Sequence, residues 1–119
     1  MDSLEHIRNR LREFAAARDW DQFHSPKNLA MALIVEAAEL VEHFQWLTEA
    51  QSAVLPPEKL AEVEQELADI QIYLIRLADK LHIDLEQAVT RKIELNEQKY
   101  PPEKSRGSAA KYTEFDDGD

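Results

Sequence analysis

Apolar residues recur every three or four positions along almost the whole chain, and no stretch alternates with the period of two that a strand requires. The pattern predicts four helices. The first opens after Asp2 or Ser3, where Asp2 and Glu5 have the spacing of a reciprocal cap, and carries Leu4, Ile7, Leu11 and Phe14 on one stripe. Asp19 to Ser25 breaks the rhythm with Trp20, Gln22, Phe23 and His24. Ser25 then reads as an N-cap and Pro26 as the first helical residue, where the missing N–H would go unbonded anyway. A second helix is predicted from about Lys27 to Leu47, with Leu29, Leu33, Ala37, Leu40 and Phe44 inward. Pro56-Pro57 opens a long third helix to about Leu81, with Leu60, Val63, Leu67, Ile70, Leu74, Leu77 and Leu81 inward. Asp84 with Gln87 repeats the cap spacing and starts a fourth, which Pro101-Pro102 ends after Tyr100. The expected architecture is an all-α four-helix bundle over residues 1–102 and an extended tail over 103–119. Lys104, Arg106 and Lys111 lead that tail, and Glu114, Asp116, Asp117 and Asp119 close it.

Composition then narrows the chemistry. The 119 residues suit a single domain. There is no cysteine, so disulfides, Cys-ligated metals and thiol nucleophiles are excluded. The only glycines, Gly107 and Gly118, cannot build a Walker loop or a dinucleotide fingerprint. Any phosphate must therefore be held by side chains or a metal. With 24 acidic against 14 basic residues the formal charge is −10, which repels a nucleic-acid backbone. The longest apolar run, Leu29 to Val35, is too short to span a bilayer, and the first ten residues lack a hydrophobic segment. The expected compartment is the cytoplasm, with neither a nucleic-acid polymer nor a membrane as partner.

Two helices carry acidic pairs three residues apart, Glu36/Glu39 and Glu66/Asp69. At about 100° per residue each pair projects to one face, within reach of a shared ion. An acidic helical chain makes such pairs by chance, and Glu39/Glu42 and Glu94/Glu97 are further examples. Position separates them. Glu36 lies three residues after Leu33 and four before Leu40, on the apolar stripe itself, while Glu66 and Asp69 edge the stripe of the third helix. Burying an unpaired carboxylate costs several kcal/mol, and few cations fall at matching positions. Four hard oxygen donors without Cys or a His pair suit Mg²⁺ or Mn²⁺. A di-iron site wants Glu-x-x-His on two helices, and the chain has only Asp79-x-x-His82.

The fourth helix shows a complementary oddity. Leu85, Val89, Lys92, Asn96 and Tyr100 share one face, so Lys92 and Asn96 occupy positions expected to be apolar. They read either as a snorkelling lysine beside a buried acid or as a cation and an amide facing phosphate oxygens. Tyr73 falls four residues after Asp69 on the same face, Trp46 ends the helix of Glu36 and Glu39, and Trp20 and His24 precede it. Such aromatics are core filler in most helical proteins; near a metal–phosphate site they can also stack a flat ligand.

Glu36-Ala-Ala-Glu39, the spacer 40–65 and Glu66-Leu-Ala-Asp69 resemble the E-x-x-E…E-x-x-D signature of the MazG-like all-α nucleoside triphosphate pyrophosphohydrolases. Further segments look closer to the dCTP pyrophosphatase branch. These are Arg18 to His24, Pro26 to Leu29, Phe44-Gln45-Trp46, Lys92 through Asn96 to Tyr100-Pro101, Arg106 to Ser108 and Lys111 to Thr113. The resemblance implies that Glu36, Glu39, Glu66 and Asp69 bind Mg²⁺ and that water attacks the α-phosphorus of a nucleoside triphosphate, giving the monophosphate and pyrophosphate. Glu36 and Glu39 are read as the catalytic residues, with Glu39 expected as general base because a carboxylate not fully engaged with metal can take the water proton. The resemblance maps a base pocket onto Trp20, Asp21, Gln22, Phe23, His24, Trp46 and Tyr73, and phosphate contacts onto Lys92 and Asn96, offered by a neighbouring subunit. It also implies a homotetramer built from dimers, with the basic part of the tail near the site. One position departs: Leu11 stands where the dCTP branch has a ligand-contacting histidine, which points to a looser or shifted pyrimidine preference.

Two other functions fit the same residues. One is a dUTPase-like or broad-specificity housecleaning dNTP pyrophosphatase. The other is a non-catalytic helical interaction module, in which the acids only solubilise the bundle.

Overall fold

The computed structural model describes residues 3–107 and 109, and every regular element among them is helical. The chain divides into two compact units, Met1–Ile83 and Asp84–Asp119.

The first unit begins with α1, Leu4–Ala17. Of the two caps foreseen, Ser3 serves: its side chain accepts from the His6 N–H at 3.1 Å, while Asp2 lies outside the described residues. With almost no glycine available, α1 ends on Asp19 in the left-handed region (φ 54°), a conformation Asp tolerates better than most residues. The Asp19 N–H donates to the Ala16 carbonyl and the Trp20 N–H to the Ala15 carbonyl, at 3.1 and 2.9 Å, the paired bonds of a Schellman motif. A single 3₁₀ turn, Asp21–Phe23, follows. Then α2, Pro26–Glu42, starts at the foreseen Ser25 cap, which accepts from the Asn28 N–H at 3.1 Å.

This second helix ends at Glu42, earlier than the predicted Leu47. His43 to Leu47 continue as turns, because Thr48 must be extended to cap the short α3, Glu49–Ala53, which the periodicity did not reveal. There the Thr48 hydroxyl accepts from the Gln51 N–H and the Gln51 side chain accepts from the Thr48 N–H, a complete capping box. The long α4, Pro57–Lys80, matches its predicted span and ends on a second Schellman motif with His82 left-handed (φ 57°).

Helix α4 packs along α2 and also against α1. The buried apolar core is small: Ala15, Leu29, Val63, Ile75 and Ala78. Burying Leu29 completely is worth about 1.5–3 kcal/mol, so each of these residues matters. The predicted inward face of α4 is only partly right. Leu60, Leu67 and Leu81 are 50–54% exposed, and Ile75, Arg76 and Ala78 are buried instead. Two neighbours, α2 and α1, draw different parts of one long helix inward, so a single straight stripe misplaces its ends.

The second unit holds α5, Leu85–Lys99, capped as foreseen by Asp84, which accepts from the Gln87 N–H at 3.0 Å. No residue of α5 is buried: Val89 and Ile93 are about half exposed, and Lys92 and Asn96 are exposed. Of the face read as core, Leu85 and Tyr100 are half-buried while Val89, Lys92 and Asn96 are exposed. Of the tail expected from 103, Pro102–Ser105 forms one more helical turn, α6, and Lys111 and the acidic end lie outside the described residues.

Candidate active site

Helices α2 and α4 bring Glu36, Glu39 and Glu66 together, with one carboxylate oxygen of each within 4.8 Å of the others. All three are half-buried. Among the described residues no lysine or arginine pairs with any of them, and Glu66 Oε2 is buried without a hydrogen-bond partner. Like charges this close cannot all ionise cheaply. The Glu36 carboxyl is accordingly pushed up to about 7, first by its contact with Glu66, then by burial and by Glu39 and Asp69.

Asp69 is not part of this converged set and is exposed. It has a different neighbourhood. Together with Leu11, Phe14, Ala15, Trp20, His24, Ile72, Tyr73 and Arg76 it lines a pocket of about 390 Å³, within the usual range for small-molecule sites. Four of these, Asp69, Ile72, Tyr73 and Arg76, follow the i, i+3, i+4, i+7 spacing of one helical face on α4. Asp69 therefore connects the acids to the pocket: its charge acts on Glu36 while its side chain forms pocket wall.

The remaining wall is built by the Schellman turn after α1. That motif places Trp20 against Phe14, ring edge to face at 5.6 Å and 73°, the hydrophobic contact that commonly accompanies such a cap. Arg18 covers the same Phe14 ring, 3.7 Å from its centroid. The loop is tied further by Gln22, whose amide donates to the Asp19 carbonyl and carboxylate, and by Asn28, whose amide donates to the Phe23 carbonyl.

Behind the pocket lies an ion-pair network. Arg76, 4% exposed, donates to Asp21 at 2.8 Å and lies 3.2 Å from His24 Nδ1. Lys80 reaches Asp21 at 2.7 Å, and Arg12 grips both oxygens of Asp79. Asp21 and Asp79 are held below the usual carboxylate range, Asp21 chiefly by Lys80 and Arg76 and Asp79 chiefly by Arg12.

The structure thus sorts the residues singled out in the sequence. It brings Glu36, Glu39 and Glu66 into one cluster, and Trp20, His24, Tyr73 and Asp69 into one pocket. Asp21 and Gln22 spend their side chains on the network and the loop, and Phe23 is 60% exposed outside the pocket lining. Trp46 does not end α2 but sits in the following turns, 87% exposed. Lys92 and Asn96 are one turn apart on exposed α5, in the second unit. Arg76 was missed. The available signal was its spacing, seven residues after Asp69 and three after Tyr73, on a helix already read as bearing the site.

The all-α scaffold thus sets three carboxylates that could hold a metal ion beside an aromatic pocket. Residues 31–115 match the model of the MazG-like family, and the chain belongs to that family. It is 50% identical over 118 residues to dCTP pyrophosphatase 1 of Mus musculus, covering 98% of this chain and 69% of that protein. Against dCTP pyrophosphatase 1 of Homo sapiens the identity is 44% with the same coverage. The crystal structure of a pyrophosphatase from Archaeoglobus fulgidus superposes with a TM-score of 0.79 at 42% identity, over 85% of this chain and 94% of that one.

Proposed function

We propose that the protein is a Mg²⁺-dependent nucleoside triphosphate pyrophosphohydrolase that acts on dCTP or a related, modified pyrimidine dNTP. The observation that carries this reading is Asp69, shared between an uncompensated carboxylate cluster and an aromatic pocket.

The donor set fits a hard divalent cation. Glu36, Glu39 and Glu66 offer three convergent oxygens, and the orphaned Glu66 Oε2 is an acceptor that the protein itself leaves unsatisfied. We assign these three and Asp69 as the residues that would hold Mg²⁺, with Mn²⁺ as the substitute. When bound, the ion supplies charge neutralisation for the phosphates and for the leaving pyrophosphate. Glu39 accepts the proton of a water whose oxygen bonds to the α-phosphorus. The bond from that phosphorus to the bridging oxygen breaks, and pyrophosphate leaves with the electron pair. Glu36, positioned between Glu39 and Glu66, shapes the charge around that proton transfer. Trp20, His24 and Tyr73 hold and orient the base, and Asp21, Gln22 and Phe23 keep their loop in place. Trp46, Lys92 and Asn96 reach the nucleotide from a neighbouring copy, Lys92 and Asn96 at the phosphates.

That last assignment requires an oligomer. Met31, Ile34, Val35 and Val41 form a stripe on α2 that is 55–65% exposed, which a water-soluble chain with so small a core would cover with further copies. We assign the assembly as a homotetramer of dimers, formed by the helical domain 1–102. Among the described residues no helix is long and apolar enough to cross a membrane, and we place the enzyme in the cytoplasm.

The test is incubation with a panel of NTPs and dNTPs, with detection of pyrophosphate and nucleoside monophosphate. Turnover of dCTP that stops with EDTA is expected; orthophosphate as the first product, or turnover indifferent to EDTA, overturns the assignment. Because Leu11 lines the pocket, a dUTPase-like or broader preference is the second reading, separated by kcat/KM on dUTP and dCTP.

A further inference from the structure

The reaction as assigned gives no task to the pocket's arginine, Arg76. It is the only charged side chain buried among the described residues, and it borders the pocket beside His24 and Trp20. Its terminal Nη2 carries two hydrogens and has two partners, Asp21 Oδ1 at 2.8 Å and His24 Nδ1 at 3.2 Å. A guanidinium has donors only and keeps its proton at any ordinary pH. The imidazole nitrogen facing it must therefore present a lone pair. A ring carrying hydrogen on Nδ1, neutral or charged, would point N–H at N–H.

We infer that Arg76 is a positioning residue that holds His24 as the neutral Nε2–H tautomer, so that the ring offers a hydrogen-bond donor to an acceptor atom of the base. The acceptor is a carbonyl oxygen or an unprotonated ring nitrogen of a pyrimidine. Nε2 is free for this purpose: it has no partner among the described residues and is not a buried atom. The surrounding charges agree. Burial first, then Arg76, with Lys80 adding a little, hold His24 below the usual histidine range. Asp21 opposes them, yet its own oxygen is already engaged by Arg76 and by Lys80 at 2.7 Å. Asp69 is the remaining charged residue on the pocket wall. Trp20 stands next to the imidazole, centroids 6.5 Å apart and planes at 59°, which restricts how the ring can turn. Arg76 is itself fixed from behind, with Asp79 at 3.8 Å. The lock thus runs from α4 through one guanidinium to the loop that carries two pocket residues.

That the acceptor belongs to a pyrimidine rests on the proposed function; the tautomer does not. The experiment uses the full-length protein labelled with ¹⁵N at histidine, whose four histidines are separated by comparison with His24→Gln. Two-bond ¹H–¹⁵N correlation at pH 7.5 should show His24 with Nδ1 unprotonated and Nε2 bearing the hydrogen. In Arg76→Gln the Nδ1–H form should appear, the His24 titration should move up, and KM for dCTP should rise about tenfold with a smaller change in kcat, the loss of one well-placed hydrogen bond. Arg76→Lys, which retains a cationic donor, should fall between the two. A wild-type His24 carrying its proton on Nδ1, or charged at that pH, overturns the inference. So does Arg76→Gln with wild-type tautomer and KM. If Arg76→Gln does not fold, the wild-type spectrum decides. If the wild type does not hydrolyse dCTP, the substrate assignment fails while the spectrum still decides the tautomer.

Discussion

Two clusters of ionisable groups lie ten residues apart on α4, and they behave in opposite ways. Around Glu66, three carboxyls from two helices face each other with no cation among the described residues to compensate them, and one oxygen has no partner at all. Around Arg76, every charge has its opposite: Asp21 is bracketed by Arg76 and Lys80, and Asp79 by Arg12 and Arg76. The second cluster is balanced in charge, although Arg76 Nε is buried without a hydrogen-bond partner, and it serves as scaffold. The first carries repulsion that the protein's own groups do not offset, which is the observation behind its proposed role as a metal site.

The largest consequence of that contrast concerns activity. Glu39→Gln should lower kcat by about 10²–10⁴, the range for losing a general base, while the melting temperature of the metal-free protein stays level or rises because a repelling charge is gone. Steady-state kinetics and calorimetry in EDTA check this together; a fall in both would make the acids structural. Next in size is the scaffold. Asp79→Ala leaves Arg76 buried with fewer partners, and breaking one side of such a pair costs about 3 kcal/mol. Urea unfolding should register that loss, in contrast to the gain expected at Glu39.

The two clusters should also respond to pH with opposite sign. Glu36 has its folded pKa raised from 4.5 to about 7, so its proton-linked stabilisation is complete below about 4.5 and is lost as pH rises through about 7. Asp21 and Asp79 are depressed, so their stabilisation is complete above the unfolded carboxylate value and is lost as pH falls through their lower folded values. In EDTA the urea midpoint should therefore fall between pH 5 and 8.5, and saturating Mg²⁺ should reverse that fall by binding the ionised acids. A midpoint that rises over this range contradicts the crowding of the three carboxyls. The smallest effect is expected at Ser25, the cap that joins the pocket loop to the acid-bearing helix. Ser25→Ala should cost about 1 kcal/mol and raise KM for the nucleotide, with Mg²⁺ affinity unchanged by titration calorimetry.

Much of this was legible in the residues alone. The start of α2 at Ser25-Pro26 and of α5 at Asp84, and the span of α4, follow from caps, prolines and a 3.6-residue period, all local effects. The convergence of Glu36, Glu39 and Glu66 was also foreseeable, because carboxylates standing on or beside an apolar stripe need a reason to be there. The end of α2 was not, since it depends on the competing capping box at Thr48, and with it the exposure of Trp46 was missed. Arg76 was overlooked for a related reason. A lone arginine among Ile75, Leu77 and Ala78 looks like a helix surface position until its partners, 52 and 55 residues away, are known.

The sequence by itself determined that this chain is helical, where most of its helices begin, and which carboxylates are candidates to share an ion, because each of these depends on neighbours within a turn or two. The tertiary structure alone decided that Asp69 joins the acids to the pocket, that Leu11 forms part of the wall, and that the Arg76 guanidinium lies against Nδ1 of His24. Those are contacts between elements distant along the chain, and only the packing of α1, the loop and α4 brings them within hydrogen-bonding and van der Waals range.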